Sequence, residues 1–289
     1  MDSTQPVAWR WDRQTNSTTR IVSILSGKGG VGKTIIACNL AERTASLGYR
    51  VLLVDADYSF GNVHILTNAN CDYGVGSFAS GRLSLREASI TIAERLDILA
   101  SESNNDTKQL YDVKAATALV DKLRRQATDY DLVLIDHGSG KSDSATAMAV
   151  ASDLSILVVI PELTSLSDGY GLLKQLTLRD SNINCSLLIN RAESADEADY
   201  VRSKFASVAA RFLNLTPPFM GYLPEDTMVK ESVSRQRLVA AVDGDSKAAR
   251  SFTGISRSLV EWLRLQIEGR RLAAEKRINE NQTLADIRE

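Results

Sequence analysis

The sequence has few cysteines, no long apolar run and no excess of positive charge. Its three cysteines in 289 residues lack C-x-x-C spacing, which argues against a disulfide framework or a thiolate metal site and predicts reduced thiols. No run approaches roughly eighteen apolar residues, so we expect no transmembrane helix. The formal net charge of −2 excludes a molecule-wide basic field for nucleic acid and leaves room only for a local basic patch.

The two ends of the chain are predicted to be polar extensions of one central domain. Residues 1–19 lack the apolar segment of a secretory signal and predict an arm that Trp9 or Trp11 could dock. Residues 270–289 form a charged tail. No internal repeat and no low-complexity linker interrupts residues 20–269, which we therefore expect to fold as a single domain.

Apolar runs of strand length alternate with longer helical patterns through the central domain. The runs are continuous, as in parallel strands buried on both faces. This alternation predicts right-handed crossovers and a doubly wound α/β domain, a mainly parallel sheet flanked by helices. The predicted strands are 20–25, 50–55, 96–100, 131–136, 154–160, 184–190 and 218–223, and the predicted helices are 34–48 (ending at Gly48), 113–127, 165–180, 195–213 and 249–269.

A glycine-rich stretch, SGKGGVGKT at residues 26–34, lies between the first predicted strand and helix. It contains G-x-x-x-x-G-K-[ST], in which glycines turn successive N–H groups toward phosphate oxygens and the helix N-terminus adds positive potential. Lys33 would contact the β- and γ-phosphates, and the Thr34 hydroxyl would bind Mg²⁺. The alternative is a turn without a ligand. The expected nucleotide contacts are Gly27, Lys28, Gly29, Gly30, Val31, Gly32, Lys33, Thr34 and Ile35.

A second lysine, Lys28, lies near the start of the same loop. Since Lys33 already serves the phosphates, we expect Lys28 to point away from its own nucleotide. It could reach a nucleotide on a neighbouring subunit and stabilise charge developing on the γ-phosphate, or it could be a solvated surface lysine. Spacing alone does not distinguish these roles.

The segment KGGVGKT resembles the deviant Walker A motif, KGGxGK[ST], of the MinD/ParA class of P-loop ATPases. The likeness extends from about Ile21 to the last predicted helix. It implies a slow ATPase with ATP and Mg²⁺ bound, a homodimer in the ATP state, and stimulation by dimerisation or a partner. In this class the extra lysine acts across the dimer interface, so the resemblance implies that role for Lys28.

Acidic residues follow two predicted strands at the edge where α/β sheets bind ligands. One of Asp55 and Asp57 could organise Mg²⁺ and the other could orient the attacking water, although a turn-capping pair is the alternative. The resemblance likens residues 51–64 to switch I, which ties Asp57 to hydrolysis, and residues 131–140 to a Walker B/switch II element. The expected metal-site residues are Thr34, Asp55, Asp57 and Asp136, and the expected catalytic residues are Lys28, Lys33 and Asp57.

The residues after Asp136 are His137, Gly138, Ser139 and Gly140, where many family members have proline and alanine. They resemble the D-x-G-A-G variant of one subgroup, and glycines suit a backbone that moves with the γ-phosphate. His137 could act as a general base. Because Asp57 already is a candidate to orient water, we expect His137 to be a switch residue or a surface contact.

The base of the nucleotide is assigned to the last strands of the sheet. The Asn190 amide, followed by Arg191, can offer a base both a donor and an acceptor, although Asn is also a common turn residue. Family likeness implies that the purine lies between Asn190 and the turn at Pro224–Glu225. Adenine is therefore inferred from the resemblance.

The stretch PELTSLSDGYGLLKQL at residues 161–176 resembles the P-E-x-T-S-x-x-D-x-Y segment of flagellar-number regulators of the FlhG/FleN type. Structurally, Thr164 or Ser165 would cap the following helix, and Asp168 would lie one turn in. The subgroup implies control of flagellar placement or number, with a flagellar GTPase or regulator as partner. A MinD-type division-site regulator is the alternative.

Other roles within the class have less support. A ParA-type partitioning ATPase needs clustered basic residues, and the net charge makes DNA an unexpected partner despite Arg235, Arg237, Arg250 and Arg257. Iron–sulfur relatives need paired cysteines, and none lies past Cys185.

The last predicted helix carries an apolar stripe that we expect to pack in the core rather than touch a membrane. The tail lacks the Lys/Phe/Leu-rich amphipathic ending of MinD-like proteins, so peripheral contact with the inner membrane has no support, and we expect a cytoplasmic protein. The stripe consists of Ile255, Leu259, Trp262, Leu263 and Ile267.

Overall fold

The computed structural model of the chain describes residues 19–58, 61–102 and 105–265. One eight-stranded sheet runs through this part in the order β3-β4-β2-β5-β1-β6-β7-β8, and all neighbouring strands are parallel except β3 and β4. The predicted fold class is therefore confirmed. The strands are β1 (Arg20–Leu25), β2 (Val51–Ala56), β3 (Ile90–Ala93), β4 (Leu96–Leu99), β5 (Leu132–His137), β6 (Leu154–Val159), β7 (Cys185–Ala192) and β8 (Phe219–Pro224).

Helices connect the parallel strands and cover both faces of the sheet. A 3₁₀ turn, Gln109–Tyr111, precedes α6. The helices are α1 (Lys33–Ser46), α2 (Val63–Leu66), α3 (Val75–Ala79), α4 (Leu85–Ala88), α5 (Asn105–Lys108), α6 (Val113–Gln126), α7 (Asp143–Ala151), α8 (Leu163–Arg179), α9 (Ala195–Leu213), α10 (Thr227–Ser234) and α11 (Val239–Val242), followed by α12, described over residues 247–265.

Apolar spacing and caps explain where the long helices form. In α6 the buried residues recur three and four positions apart, which places them on one stripe facing the sheet; they are Ala116, Leu119, Val120 and Leu123. The Asp112 carboxylate accepts hydrogen bonds from the N–H groups of Lys114 and Ala115, which satisfies the free N-terminal end of the helix. At the end of α1, Gly48 has φ +97°, so it takes the left-handed conformation of a helix C-terminus.

The core has two sides because the sheet is covered on both faces. Helices α1 and α12 pack on one face, and the stripe on α12 is buried as expected: Ile255, Leu259, Trp262 and Leu263 are at most 4% exposed. Helices α6 to α9 cover the other face through two further clusters. Trp262 is fully buried, so shortening it to alanine is expected to cost about 3–5 kcal/mol of unfolding free energy.

Several expectations about the ends and the thiols can be compared with the described residues. Thr19, the last residue of the predicted arm, is buried, and its hydroxyl donates to the Ala127 carbonyl (2.8 Å), so this residue packs against the domain. The rest of the arm, Ile267 and the charged tail lie outside the described residues. The three cysteines are free thiols. Among the described residues, no helix has the length and apolar character needed to cross a bilayer.

The strand order fixes the position of the functional site. β1 pairs with β5 on one side and β6 on the other, so the direction of winding reverses at the end of β1. In doubly wound sheets this reversal opens a crevice outside the carboxyl ends of the strands. The segments that follow β1, β2, β5, β6, β7 and β8 all begin at this edge.

Candidate nucleotide-binding site

The loop between β1 and α1 has the backbone conformation that its glycines predict. Gly30 and Gly32 have φ values of +73° and +93°, in the left-handed region that favours glycine. A Cβ on Gly27 would lie only 2.2 Å from the carbonyl oxygen of Asp168 in α8. The loop backbone therefore packs directly against α8, and a side chain at position 27 cannot fit.

Lys33 lies inside the loop and is almost completely buried. Burial lowers the pKa of its ammonium group, and the negative charges of Asp136 and Asp57 oppose this shift. The ammonium therefore occupies a low-dielectric site in which an anion would stabilise it strongly. This environment suits the phosphate-binding role predicted for Lys33.

Two carboxylates meet where β2 and β5 end. Asp55 and Asp136 are register partners on these adjacent strands, and both are fully buried. Burial raises the pKa of Asp55 to about 7. Burial, and then the charge of Asp55, raise the pKa of Asp136 to about 8. The protein thus holds two acids together at a cost that a nearby cation would offset.

The hydrogen bonds of these acids indicate which of them is available to a metal. Asp55 accepts hydrogen bonds from the backbone N–H groups of Asp57 (3.1 Å) and Val63 (3.2 Å). Neither carboxylate oxygen of Asp136 has a hydrogen bond of normal geometry within the described residues, although the Thr34 side chain lies near enough to oppose the rise in the pKa of Asp136. Orphaned oxygens beside the Thr34 end of the loop fit Mg²⁺, which is held by few protein oxygens and keeps several waters. Among the residues that the structure describes, no three or more His, Cys, Asp or Glu side chains are arranged so that they alone could hold a metal ion.

Asp57 lies where the segments after β2 and β5 meet. Its carboxylate packs against the backbone of Gly138, where a Cβ would approach Asp57 Cγ at 3.4 Å. The side chain is half-exposed, unlike that of Asp55. Asp57 therefore combines access to water with a position next to both buried acids, as a water-orienting carboxylate requires.

The segment after β5 also contacts the phosphate loop. The Gly140 N–H donates to the carbonyl of Ser26 (3.3 Å), and Gly140 itself has φ +98°. A Cβ on Gly29 would lie 3.4 Å from Ser139 Oγ. Among the described residues, one long hydrogen bond and a light contact join this segment to the loop, an arrangement compatible with the switch role expected of the segment.

His137 is not on the surface, and that part of our expectation was wrong. It is the last residue of β5 and is 1% exposed, and its Nε2 lies 2.9 Å from Ser23 Oγ on β1. Burial, followed by the charge of Lys33, lowers its pKa to about 3. His137 is therefore a neutral core residue that faces β1, which gives no support to a general-base role.

Lys28 points away from its own loop and toward the start of α8. Its Nζ donates to the Glu162 carboxylate and to Thr164 Oγ1, the latter at 3.0 Å. The prediction that Thr164 or Ser165 caps α8 was wrong: the helix begins at Leu163, and the Ser165 hydroxyl instead accepts from the N–H of Ile160 (3.0 Å). The segment used to identify the subgroup thus binds the extra lysine, a role that its sequence did not reveal.

A cavity of about 370 Å³ lies beside Gly32, at the position expected for the base. Asn190, Arg191, Pro224, Glu225 and Ile35 line it, so the predicted residues do come together. Sequence reasoning missed its apolar walls, most of which α10 and α12 supply, with one residue each from α1 and β8. The repeat of valines at positions 229 and 233, one helical turn apart, was the available signal. The walls are Ile36, Leu223, Val229, Val233, Ala248 and Phe252.

The Asn190 amide is already engaged within the protein. Its Nδ2 donates to the carbonyl of Val31 (2.6 Å), and its Oδ1 accepts from the N–H of Arg191 (2.9 Å). Arg191 has φ +57°, a conformation uncommon for a residue other than glycine. Asn190 thus fastens the phosphate loop to the end of β7, and its predicted contact with the base stays a prediction.

Comparisons with known proteins agree with this architecture. A family model described as an AAA domain matches residues 19–189. The chain is 29% identical to the antiactivator FleN of Pseudomonas aeruginosa, over 84% of this chain and 87% of that protein. It is 24% identical to the flagellum site-determining protein YlxH of Helicobacter pylori, over 85% and 83%. Among solved structures, the septum site-determining protein MinD of Pyrococcus horikoshii, complexed with Mg-ADP, has a TM-score of 0.70 at 23% identity, covering 83% of this chain and 96% of that chain, a likeness of fold.

Proposed function

The chain belongs to the AAA-domain family, within the MinD/ParA-type P-loop ATPases, and from this membership we propose that it is a dimerising ATP switch. ATP and Mg²⁺ bring two copies face to face, and hydrolysis to ADP and phosphate separates them. One observation carries the proposal: the Lys28 ammonium lies on α8 of its own chain rather than at its own phosphate loop. A cation held at the rim can reach a second subunit's nucleotide.

The residues divide the chemistry between them. Lys33 and the backbone N–H groups of the loop hold the phosphates, and the cavity beside Gly32 receives the adenine. Asp136 and Thr34 would hold Mg²⁺, which would neutralise charge on the phosphates when bound, and Asp55, whose oxygens accept two backbone N–H groups, would lie beside them. Asp57 orients the attacking water. Lys28 of the opposite subunit stabilises the γ-phosphate in the transition state, so hydrolysis requires the dimer.

We propose that the dimer regulates the placement or number of flagella. The relatives named FleN and YlxH support this role, since the latter is described as flagellum site-determining. The dimer face would bind or release a protein partner, a flagellar GTPase or regulator. The alternative is a septum site-determining role like that of MinD, a name carried by a structural neighbour. Counting flagella and minicells after deletion of the gene, with rescue by wild type or by Asp57→Ala, distinguishes the two.

Sedimentation in ATP and in ADP tests the switch directly. Wild type should sediment as a dimer only in ATP, and Asp57→Ala should remain dimeric because it binds ATP without hydrolysing it. Lys28→Ala should bind ATP and lose dimerisation or turnover. Lys141→Ala, whose ammonium lies 3.3 Å from Asp168 Oδ1 on the same helix α8, is the matched control for removing a rim lysine.

The outcome against the proposal is equally specific. If neither wild type nor Asp57→Ala changes mass with ATP, the chain is not a dimerising switch. If Lys28→Ala dimerises and hydrolyses ATP like wild type, Lys28 does not act across the interface.

A further inference from the structure

Tyr58 directly follows Asp57, yet the two side chains lie in different environments. Asp57 is half-exposed at the site, whereas Tyr58 is 9% exposed. The Tyr58 ring meets Tyr111 edge-on, with centroids 5.8 Å apart at 89°. Its hydroxyl points to the sulfur of Met148 at 3.8 Å. An edge-on aromatic pair and a sulfur contact are both favourable and directional, so the ring is fixed.

The contact between Tyr58 and Met148 matters because of where Met148 lies. It lies in α7 (Asp143–Ala151), the helix that directly follows the segment 138–142 after β5. That segment contains Gly138, against which the Asp57 carboxylate packs. Of these two consecutive residues, Tyr58 therefore contacts helix α7, and Asp57 contacts the segment that leads directly into that helix.

The backbone of Asp57 is held on its other side as well. Its N–H donates to Asp55 Oδ1 at 3.1 Å. With this bond on one side and the buried Tyr58 ring on the other, the Asp57 backbone is held at two neighbouring points, so its side chain starts from a fixed Cα position. A displacement of about 1 Å at a reacting group can cost on the order of a hundredfold in rate, so such anchoring is functionally significant.

We infer that Tyr58 is a positioning residue: its ring, packed between Met148 and Tyr111, keeps the Asp57 carboxylate oriented toward the attacking water. Because Met148 belongs to α7, this orientation depends on the position of α7. This inference rests on the proposed function, in which Asp57 orients water. A movement of the segment after β5 upon ATP binding would then pull on the ring and on the carboxylate together. Tyr58 acts through Asp57, because its own side chain is buried and only 9% exposed.

The test compares four variants by steady-state ATP hydrolysis and by ATP-dependent mass. Tyr58→Leu keeps a buried apolar side chain but loses both directional contacts, so kcat should fall on the order of tenfold with KM and dimerisation unchanged. Tyr58→Phe keeps the ring and should retain most of the activity. Phe78→Leu, in the same core cluster and fully buried, is the matched control and should leave kcat unchanged. Met148→Ala, which removes the contact from the other side, should mimic Tyr58→Leu if that variant folds poorly.

Combination with Asp57→Asn separates positioning from general loss of packing. If Tyr58 acts through Asp57, Tyr58→Leu should cause no further loss of whatever residual ATP hydrolysis the Asp57→Asn variant retains. An additive loss, or a wild-type kcat in both Tyr58→Leu and Met148→Ala, would overturn the inference while leaving the switch intact. If wild type itself neither hydrolyses ATP nor dimerises in ATP, the proposed function fails instead.

Discussion

The phosphate end and the base end of the site differ in whether their polar groups are satisfied without a ligand. At the phosphate end, Lys33 is buried with a lowered pKa, and the carboxylate of Asp136 has no hydrogen bond of normal geometry among the described residues. At the base end, the Asn190 amide already bonds Val31 and Arg191, and the rest of the cavity wall is largely apolar.

This difference predicts how much each end contributes to the free energy of binding. A buried charge without a partner destabilises the free protein, so a ligand that pairs with it gains both the new contact and the relief of that cost. An apolar cavity gains only the transfer of a base out of water. Most of the affinity, and all of its dependence on Mg²⁺, should therefore come from the phosphate end.

The largest effect is expected from Lys33→Ala. Removal of this buried cation leaves the triphosphate without its main charge partner, and ATP affinity should fall by at least on the order of a hundredfold. Titration calorimetry with a non-hydrolysable ATP analogue measures it. Lys28→Ala, which removes a lysine from the same loop, should bind with wild-type affinity at protein concentrations where no dimer forms. Equal losses of ATP affinity in the two variants would contradict the different roles assigned to the two lysines.

A second, intermediate effect is expected in the stability of the free protein. Both Asp55 and Asp136 have pKa values raised above the ordinary value near 4, to about 7 and about 8. The folded state then binds more protons than the unfolded state, so this stability contribution is full below about pH 4 and is lost as pH rises through 7 to 8. Without Mg²⁺, the free energy of unfolding should fall by on the order of a few kcal/mol as pH rises from about 4 to about 8.

Denaturant unfolding in EDTA from pH 5 to pH 9 checks this, with Asp136→Asn as the informative variant. The amide cannot ionise, so the variant should lose most of the pH dependence and be the more stable protein at pH 8. Asp143→Asn, which alters an exposed carboxylate at the start of α7, should keep the wild-type profile. Stability of the wild type that rises between pH 5 and pH 8 would show that these acids are not held as described.

The smallest effect is expected at the base end. Val229→Ala shortens one apolar wall of the cavity, and half-burial of the lost carbons predicts about a fivefold weaker binding of ATP. The dependence of binding on Mg²⁺ should be unchanged. Comparison of ATP with free triphosphate sharpens the test, because triphosphate does not reach this wall and should bind both proteins equally. A hundredfold loss for ATP would mean that the base end dominates after all.

The parallel core of the sheet was predictable because its strands are continuous apolar runs buried on both faces. Strand β3 was missed for the opposite reason: Ile90–Ala93 lies at the sheet edge, antiparallel, and is only partly buried. Helix α7 was missed because its residues are small and buried on most sides, so no polar face marks its period.

The predicted site residues come together because their strands end at one edge, which topology alone dictates. Local environment could not be predicted in the same way. His137 follows Asp136 in a segment that reads as a loop, and only the extension of β5 by one residue buries it against Ser23. Likewise, Thr164 has the chemistry of a cap, but the nearby ammonium of Lys28 engages its hydroxyl.

The contact between Gly27 and α8 has a mechanical consequence. The Asp168 carbonyl occupies the space that a side chain at position 27 would need. The first bend of the phosphate loop therefore cannot move closer to α8. A force that tilts α8 from the outside therefore displaces the loop rigidly, without first deforming any intervening segment. Pressure on the outer side of α8 would therefore be transmitted to the Gly27 end of the phosphate loop.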